Sequence, residues 1–160
     1  KVGSNTEKNS VAVVGMACRF PEAENYHSFW NNLKKGQVSI SEVTDKRFNS
    51  SVYSKDRYAP NKSISKWMGL IDDIDQFDNS FFGISSGEAN SMDPQHRLVL
   101  EETWHAIEDS GIPLSELSDK NTSVFASGAT TNDYTKIIAK YNLEIDQTTL
   151  LGTAASLQKI

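Results

Sequence analysis

The chain has little cysteine and no long apolar run. Its 160 residues include a single cysteine, Cys18, which excludes an internal disulfide framework and a metal site built from several cysteines. No apolar run approaches the roughly 20 residues that cross a membrane, and residues 1–10 lack the apolar core of a secretory signal. These absences favour a cytoplasmic protein.

Basic residues are neither dominant nor clustered. Lys and Arg number 16 against 21 Asp and Glu, for a formal net charge of −5, and the lysines are scattered along the chain. A nucleic-acid surface needs a concentrated basic patch, so a nucleic-acid partner is excluded. The hydrophobic fraction of 38% is that of an ordinary domain able to bury a core.

Strand and helix signals alternate, which predicts an α/β fold. Residues 11–14 are a short apolar run before Gly15, typical of a strand buried on both faces, and residues 123–128 are predicted as a second strand. Between them, a short helix is predicted from an N-cap at Asn25 to Gly36. Its apolar side is expected to face the sheet; it carries Phe29, Trp30 and Leu33.

Asp93 followed by Pro94 marks the start of the longest predicted helix. A carboxylate at the N-cap and a proline at the first helical position are a strong start signal, and Gly111 is placed to end the helix. A helical turn is expected after Ser85, and residues 40–66 should form a surface loop. A last helix is predicted after Thr131 or Asn132, with an apolar face of Tyr134, Ile137, Ile138 and Tyr141.

Three motifs carry a family resemblance. They are VVGMACRFP at 13–21, LIDDIDQFDNSFFGIS at 70–85 and MDPQHRL at 92–98. In order and spacing they resemble the N-terminal portion of a β-ketoacyl synthase (ketosynthase) domain of a modular type I polyketide synthase. The resemblance implies a partial thiolase-like α/β fold, corresponding to the N-terminal part of its first α/β half. Residues 1–9 would then be a linker or an expression remnant, and residues 10–160 a truncated ketosynthase domain.

The sequence departs from the family at two places. Residues 85–89 read SSGEA where the family usually has SPREA, and residues 157–160 read LQKI where a GRISY strand usually continues. The chain stops before the DTACSS element that carries the family's cysteine nucleophile. The resemblance therefore assigns no catalytic, cofactor-binding or metal-binding residue to this chain. The partners it implies are other synthase subunits and acyl carrier protein bearing phosphopantetheine.

Cys18 and the three histidines are interpreted as structural or solvated residues rather than as catalytic or metal-binding ones. A reactive thiolate needs a lowered pKa, and Cys18 follows a predicted strand, so we interpret it as a small buried apolar residue despite neighbouring Arg19. His96 and His105 are nine positions apart on one predicted helix, which places them on roughly opposite faces. His27 is predicted to be solvated. No shared metal or proton relay is expected.

The acidic and glycine-containing segments also fail as ligand motifs. The segment with Asp72, Asp73, Asp75 and Asp78 invites a calcium interpretation. Counted from Asp73, however, the fifth and twelfth positions are Phe77 and Ile84, so the EF-hand template does not fit. We expect a half-exposed segment with Ile71, Ile74, Phe77 and Phe81 pointing inward. Gly15 and Gly128 each stand alone after a predicted strand, without the G-x-G-x-x-G fingerprint.

Two function classes follow. The first, which the sequence favours, is a non-catalytic docking module between synthase subunits, forming a homodimer or a hetero-complex because a shortened sheet exposes edges and apolar faces. The alternative is a portion of an active ketosynthase that condenses acyl and malonyl thioesters on acyl carrier protein. A third, plainer interpretation is a fragment without a role of its own.

Overall fold

The computed structural model describes residues 10–45, 47, 50–118, 120–128 and 133–140. These residues are mostly helical, and the described part contains one antiparallel pair of very short strands. The chain divides into two compact units, Cys18–Ala89 and a second unit that joins Lys1–Ala17 to Asn90–Ile160. In the described residues no helix is long and apolar enough to cross a membrane.

Helix α1, Tyr26–Lys35, confirms the predicted start and end signals. The Asn25 side chain accepts a hydrogen bond from the Ser28 amide at 2.9 Å, and the Asn25 amide donates to Ser28 Oγ at 3.3 Å. This reciprocal capping box satisfies two amides at the helix start. Gly36 ends the helix with a φ of 64°, a left-handed conformation that glycine adopts without steric cost.

The prediction that the apolar side chains of α1 face a sheet is wrong for two of them. Phe29 packs against Phe20 with ring centroids 4.4 Å apart, next to the buried Ala23. Trp30 and Leu33, which were expected to face a sheet, are instead exposed. The physical reason is that the one sheet among the described residues of this unit is a pair of two-residue strands, too small to cover a helix face.

The predicted surface loop contains only brief elements among its described residues. Strand β1, Ser41–Glu42, pairs antiparallel with β2, Trp67–Met68, and Ser50–Val52 form a short 3-10 turn. Lys66 forms an ion pair with Glu42, and this hydrogen bond raises the pKa of Lys66 above its ordinary value. The loop prediction is therefore confirmed for the described residues, whose regular elements there are the two-residue strand β1 and the 3-10 turn.

The acidic and aromatic segment corrects a second expectation. Phe82 stacks on Phe77 at 5.1 Å, whereas Phe81, expected to point inward, is 54% exposed and meets Phe82 edge-on. Asp78 accepts a hydrogen bond from the Phe81 amide at 3.0 Å, and Gly83 has a φ of 66°. These contacts make a tight turn, in which Phe82 rather than Phe81 stacks on Phe77.

Helix α3, Pro94–Ser110, is the longest described helix, as predicted. It follows α2, Ser86–Ser91, in which the Glu88 amide donates to Ser85 Oγ at 3.2 Å, and it ends at Gly111 with a φ of 64°. Helix α4, Leu114–Ser118, was not predicted. Helix α5, Asp133–Lys140, carries the fully buried Ile138, while the predicted caps Thr131 and Asn132, together with Tyr141, lie outside the described residues.

The two predicted strands require the largest correction. Neither residues 11–14 nor residues 123–128 lie in a strand in the described structure, and their large apolar side chains are exposed. A strand needs a hydrogen-bonded neighbour on at least one side. The described residues provide no such neighbour for either segment, so the α/β sheet expected from the sequence is not formed among them.

Candidate functional site

The start of α3 contains the most buried polar group of the described chain. Asp93 is only 4% exposed, and its carboxylate accepts a hydrogen bond from the Gln95 amide at 2.8 Å. Pro94 occupies the first turn, where a missing amide hydrogen costs nothing. Met92, directly before the cap, is also buried. The MDPQ motif therefore fixes where the helix begins.

His96 and Arg97 lie in the same first turn of α3. No sequence signal identified them as a pair. The Nε2 atom of His96 and the Nε atom of Arg97 are buried and have no hydrogen-bond partner among the described residues. Burial lowers the pKa of His96, and the nearby Asp93 carboxylate opposes that shift. A neutral imidazole is therefore favoured at the start of the helix, where the helix dipole also disfavours a positive charge.

The three histidines occupy different surroundings. His96 is half-buried, whereas His105 is exposed, with its Nδ1 atom 3.5 Å from a Glu102 carboxylate oxygen. This difference agrees with the opposite helix faces predicted from their spacing. His27 is exposed on α1 and stacks obliquely on Tyr26 at 4.2 Å.

The acidic segment uses its side chains and backbone to shape turns. Asp78 caps the turn at Phe81, and Asp73, with a φ of 53°, accepts a hydrogen bond from the Gln76 amide through its carbonyl oxygen. In the described part of the chain, no group of three His, Cys, Asp or Glu side chains is placed to hold a metal ion.

Cys18 and Gly15 lie near the start of the described chain. Cys18 is half-buried and forms no disulfide. Gly15 packs so closely on α3 that an added Cβ would lie 2.1 Å from the Ala106 carbonyl oxygen. The next residue, Met16, donates its amide hydrogen to the Asp109 carboxylate at 2.9 Å. The sequence signal for this contact was the isolated glycine after an apolar run, which is typical of a close backbone approach.

A family model and several known proteins match this chain. The model described as "Beta-ketoacyl synthase, N-terminal domain" matches residues 8–157. Polyketide synthase ThaG of Burkholderia thailandensis is 39% identical over 155 residues, covering 96% of this chain and 3% of that protein. Polyketide synthase PksL of Bacillus subtilis is 42% identical over 137 residues, covering 81% of this chain and 3% of that protein.

Solved ketosynthase structures resemble the chain as well. The oxazolomycin ketosynthase domain OzmH KS7 of Streptomyces albus aligns with a TM-score of 0.66 and 38% identity, covering 69% of this chain and 20% of that domain. The ketosynthase from module 6 of the bacillaene synthase of Bacillus subtilis, as its C167S mutant, aligns with a TM-score of 0.56 and 42% identity. That alignment covers 62% of this chain and 17% of the solved chain.

The chain belongs to the β-ketoacyl synthase family. Its residues correspond to the N-terminal portion of a ketosynthase domain of a modular type I polyketide synthase, and the resemblance drawn from the three motifs is confirmed. The architecture is a partial, thiolase-like ketosynthase domain, mostly helical in the described residues. The chain spans 3% of the length of ThaG and PksL.

Proposed function

We propose that the protein takes part in polyketide chain elongation as scaffold of a ketosynthase domain. The reaction would be a decarboxylative condensation between an acyl group held on a cysteine and a malonyl group on acyl carrier protein. That carrier would present the malonyl group on phosphopantetheine. The match to the ketosynthase model over residues 8–157 carries this proposal. In the thiolase-like fold, these residues would form the N-terminal part of the first α/β half.

The catalytic groups for this condensation are assigned to ketosynthase residues other than those of this chain. Condensation needs a cysteine nucleophile and groups that stabilise the enolate and the oxyanion. Cys18 is half-buried, and the next helix along the chain, α1, begins only at Tyr26, so Cys18 does not occupy the first turn of a helix, a position that activates thiols. The contribution of this chain would be the doubly capped α1 and α3, which hold neighbouring segments in place.

A complete ketosynthase domain containing this sequence tests the proposal. The domain would be incubated with an acyl thioester and malonyl-loaded acyl carrier protein, and the acylated residue located by mass spectrometry. We expect the Cys18→Ala variant to be acylated and to form the condensed product as the unmodified domain does. Acyl transfer onto Cys18, or no condensation by the unmodified domain, would overturn the proposal.

A docking role between synthase subunits is the second candidate. The observation that favours it is the number of exposed apolar and aromatic side chains in the unit Cys18–Ala89, because such surfaces mark contact sites. They include Trp30, Leu33, Val38, Tyr58, Trp67 and Met68. A homodimer or a complex with an adjacent subunit should then be seen by light scattering after size exclusion. A monomer at high concentration that captures no adjacent subunit would exclude this role.

A further inference from the structure

Many basic residues of the chain are concentrated in one segment. Residues 46–66 contain six of the 16 Lys and Arg residues but only one of the 21 Asp and Glu residues, Asp56. This segment has a formal charge of +5, and since the whole chain carries −5, the other residues together carry −10. The prediction that basic residues are not clustered is therefore wrong for this segment, and the chain is asymmetric in charge.

Hydrogen bonds close part of this segment, residues 54–63, into a loop. The Ser54 amide donates to the Ser63 carbonyl oxygen at 2.9 Å, and the Ser63 amide donates to the Val52 carbonyl oxygen at 2.8 Å. Asn61 has a φ of 55°, a left-handed conformation that asparagine tolerates and that is typical of turns. Residues 54–63, which we name the basic loop, thus keep their shape through contacts within the same segment.

The acidic side chain of the basic loop stabilises a turn between two exposed cations. The Asp56 carboxylate accepts a hydrogen bond from the Tyr58 amide at 2.9 Å, and the Asp56 carbonyl oxygen accepts from the Ala59 amide at 3.2 Å. Lys55 and Arg57, on either side of Asp56, are exposed, and neither side chain has a hydrogen bond or ion pair with another described residue. Both cations can therefore meet a partner without breaking a contact of the described chain.

We propose that the basic loop docks an acidic protein surface through Lys55 and Arg57, and that the partner is the acyl carrier protein. The inference deepens the proposed function and rests on it for the identity of the partner. Tyr58, which is 89% exposed and follows Arg57, would add the aromatic contact that is common at protein interfaces. The contact face of the carrier is then expected to be acidic.

The charge asymmetry suits a partner that binds only briefly. A carrier that delivers malonyl groups has to bind and leave in every cycle, and contacts between exposed charges speed association and orient the partner without making a permanent complex. The negative charge of the other residues repels an acidic partner from the rest of the chain. A long polyanion such as nucleic acid would meet that repulsion too, so a small acidic protein fits the basic loop better.

Steady-state kinetics of a complete ketosynthase domain containing this sequence test the proposal. Condensation would be measured against the concentration of malonyl-loaded acyl carrier protein, and acylation against that of an acyl-N-acetylcysteamine thioester, which has no carrier. We expect Lys55→Glu combined with Arg57→Glu to raise the KM for the loaded carrier at least about tenfold, with kcat little changed. The kinetics with the small thioester should not respond.

Salt should reproduce the effect of the double variant. Raising the salt concentration from about 50 mM to about 500 mM should increase the KM of the unmodified domain for the loaded carrier, because salt screens exposed charges. The difference between the unmodified domain and the double variant should shrink over the same range. A difference that is independent of salt would contradict an electrostatic contact.

Matched variants separate the position of the charges from their number. Lys34→Glu combined with Lys35→Glu, at two exposed lysines in the last turn of α1, changes the net charge equally and should leave the KM for the loaded carrier unchanged. Asp56→Asn removes the negative charge of the basic loop but keeps an oxygen that can accept from the Tyr58 amide. It should lower that KM about twofold. Circular dichroism of each variant would show that the helices persist.

Four further outcomes would overturn the proposal. They are an unchanged KM for the loaded carrier in the loop variant, an equal rise in the α1 control, an equal loss with the small thioester, and tighter binding of the unmodified domain to duplex DNA than to the carrier in fluorescence anisotropy. If the unmodified domain does not condense, the proposed function fails, while anisotropy with the same carrier still shows whether the loop variant binds it more weakly. The two failures are therefore distinguishable.

Discussion

The hydroxyl of Tyr134 donates a hydrogen bond to the carbonyl oxygen of Asn90 at 2.8 Å, joining residues 44 positions apart. It links helix α5 to the end of α2, directly before the cap of α3. On the same helix, Ile138 is fully buried. Among the described residues, the buried Ile138 and the Tyr134 hydrogen bond therefore both contribute to the position of α5.

Removing that link should loosen α5. We expect Tyr134→Phe to lower the free energy of unfolding by about 1 kcal/mol, because the Asn90 carbonyl loses its donor while the ring is retained. Faster hydrogen exchange in residues 133–140 would be the direct measurement. Tyr58→Phe, at a highly exposed tyrosine, is the control and should change nothing. Unaltered exchange in α5 of the Tyr134 variant would contradict the importance of the link.

The cap of α3 should be the most sensitive single polar position. Asp93→Ala removes the carboxylate that accepts from Gln95, and we expect it to cost about 1 kcal/mol in the free energy of unfolding. Asp93→Asn should cost much less, because asparagine caps helices about as well as aspartate. Urea unfolding followed by circular dichroism measures both. Equal losses in the two variants would show that the charge, not the cap, matters.

The left-handed glycines should not tolerate a side chain. Gly36 has a φ of 64° at the end of α1, so Gly36→Ala is expected to destabilise the chain by about 1 kcal/mol. Gly87 lies within α2, where an added Cβ meets nothing within 4 Å. Gly87→Ala is therefore the matched control and should be neutral or stabilising. Thermal unfolding compares the two, and a stabilising Gly36→Ala would contradict the assigned backbone conformation.

Burial of His96 predicts a pH dependence of stability. Its pKa in the folded chain is lowered from the ordinary value of 6.5. As the pH falls, His96 therefore takes up a proton in the unfolded chain before it does so in the folded chain. The free energy of unfolding consequently decreases as the pH falls through 6.5. Below the lowered folded pKa, the loss levels off.

Denaturant unfolding at pH 7.5 and pH 5.5 measures this effect. The free energy of unfolding should fall between these values for the unmodified chain, and the fall should be smaller for His96→Gln. His105→Gln, at the exposed histidine on the same helix, should leave the fall unchanged. An identical pH dependence in the His96 variant would show that other groups are responsible.

Local signals predicted local structure well. The N-caps Asn25 and Asp93 and the ends at Gly36 and Gly111 were placed correctly, because a cap satisfies amides or carbonyls within a few residues of itself. The five-residue α4 was missed because it is too short to show a period. Phe81 was misassigned because the turn that Asp78 caps leaves its side chain exposed.

For the candidate site, the sequence predicted the motif and the start of the helix, but not which side-chain atoms are buried. The MDPQHRL motif predicted the family and the helix start. No local sequence pattern indicated that His96 Nε2 and Arg97 Nε are buried. The contact of Met16 with Asp109 joins residues 93 positions apart, and the only hint of it was the lone Gly15.

By itself the sequence determined the family and the limits of helices α1 and α3, since motifs and caps are interactions between near neighbours along the chain. Tertiary structure alone decided whether the apolar residues 11–14 and 123–128 form strands. A strand is stabilised by hydrogen bonds to another strand, so its formation depends on which backbone lies beside it. Among the described residues no strand lies beside either segment, and both are exposed.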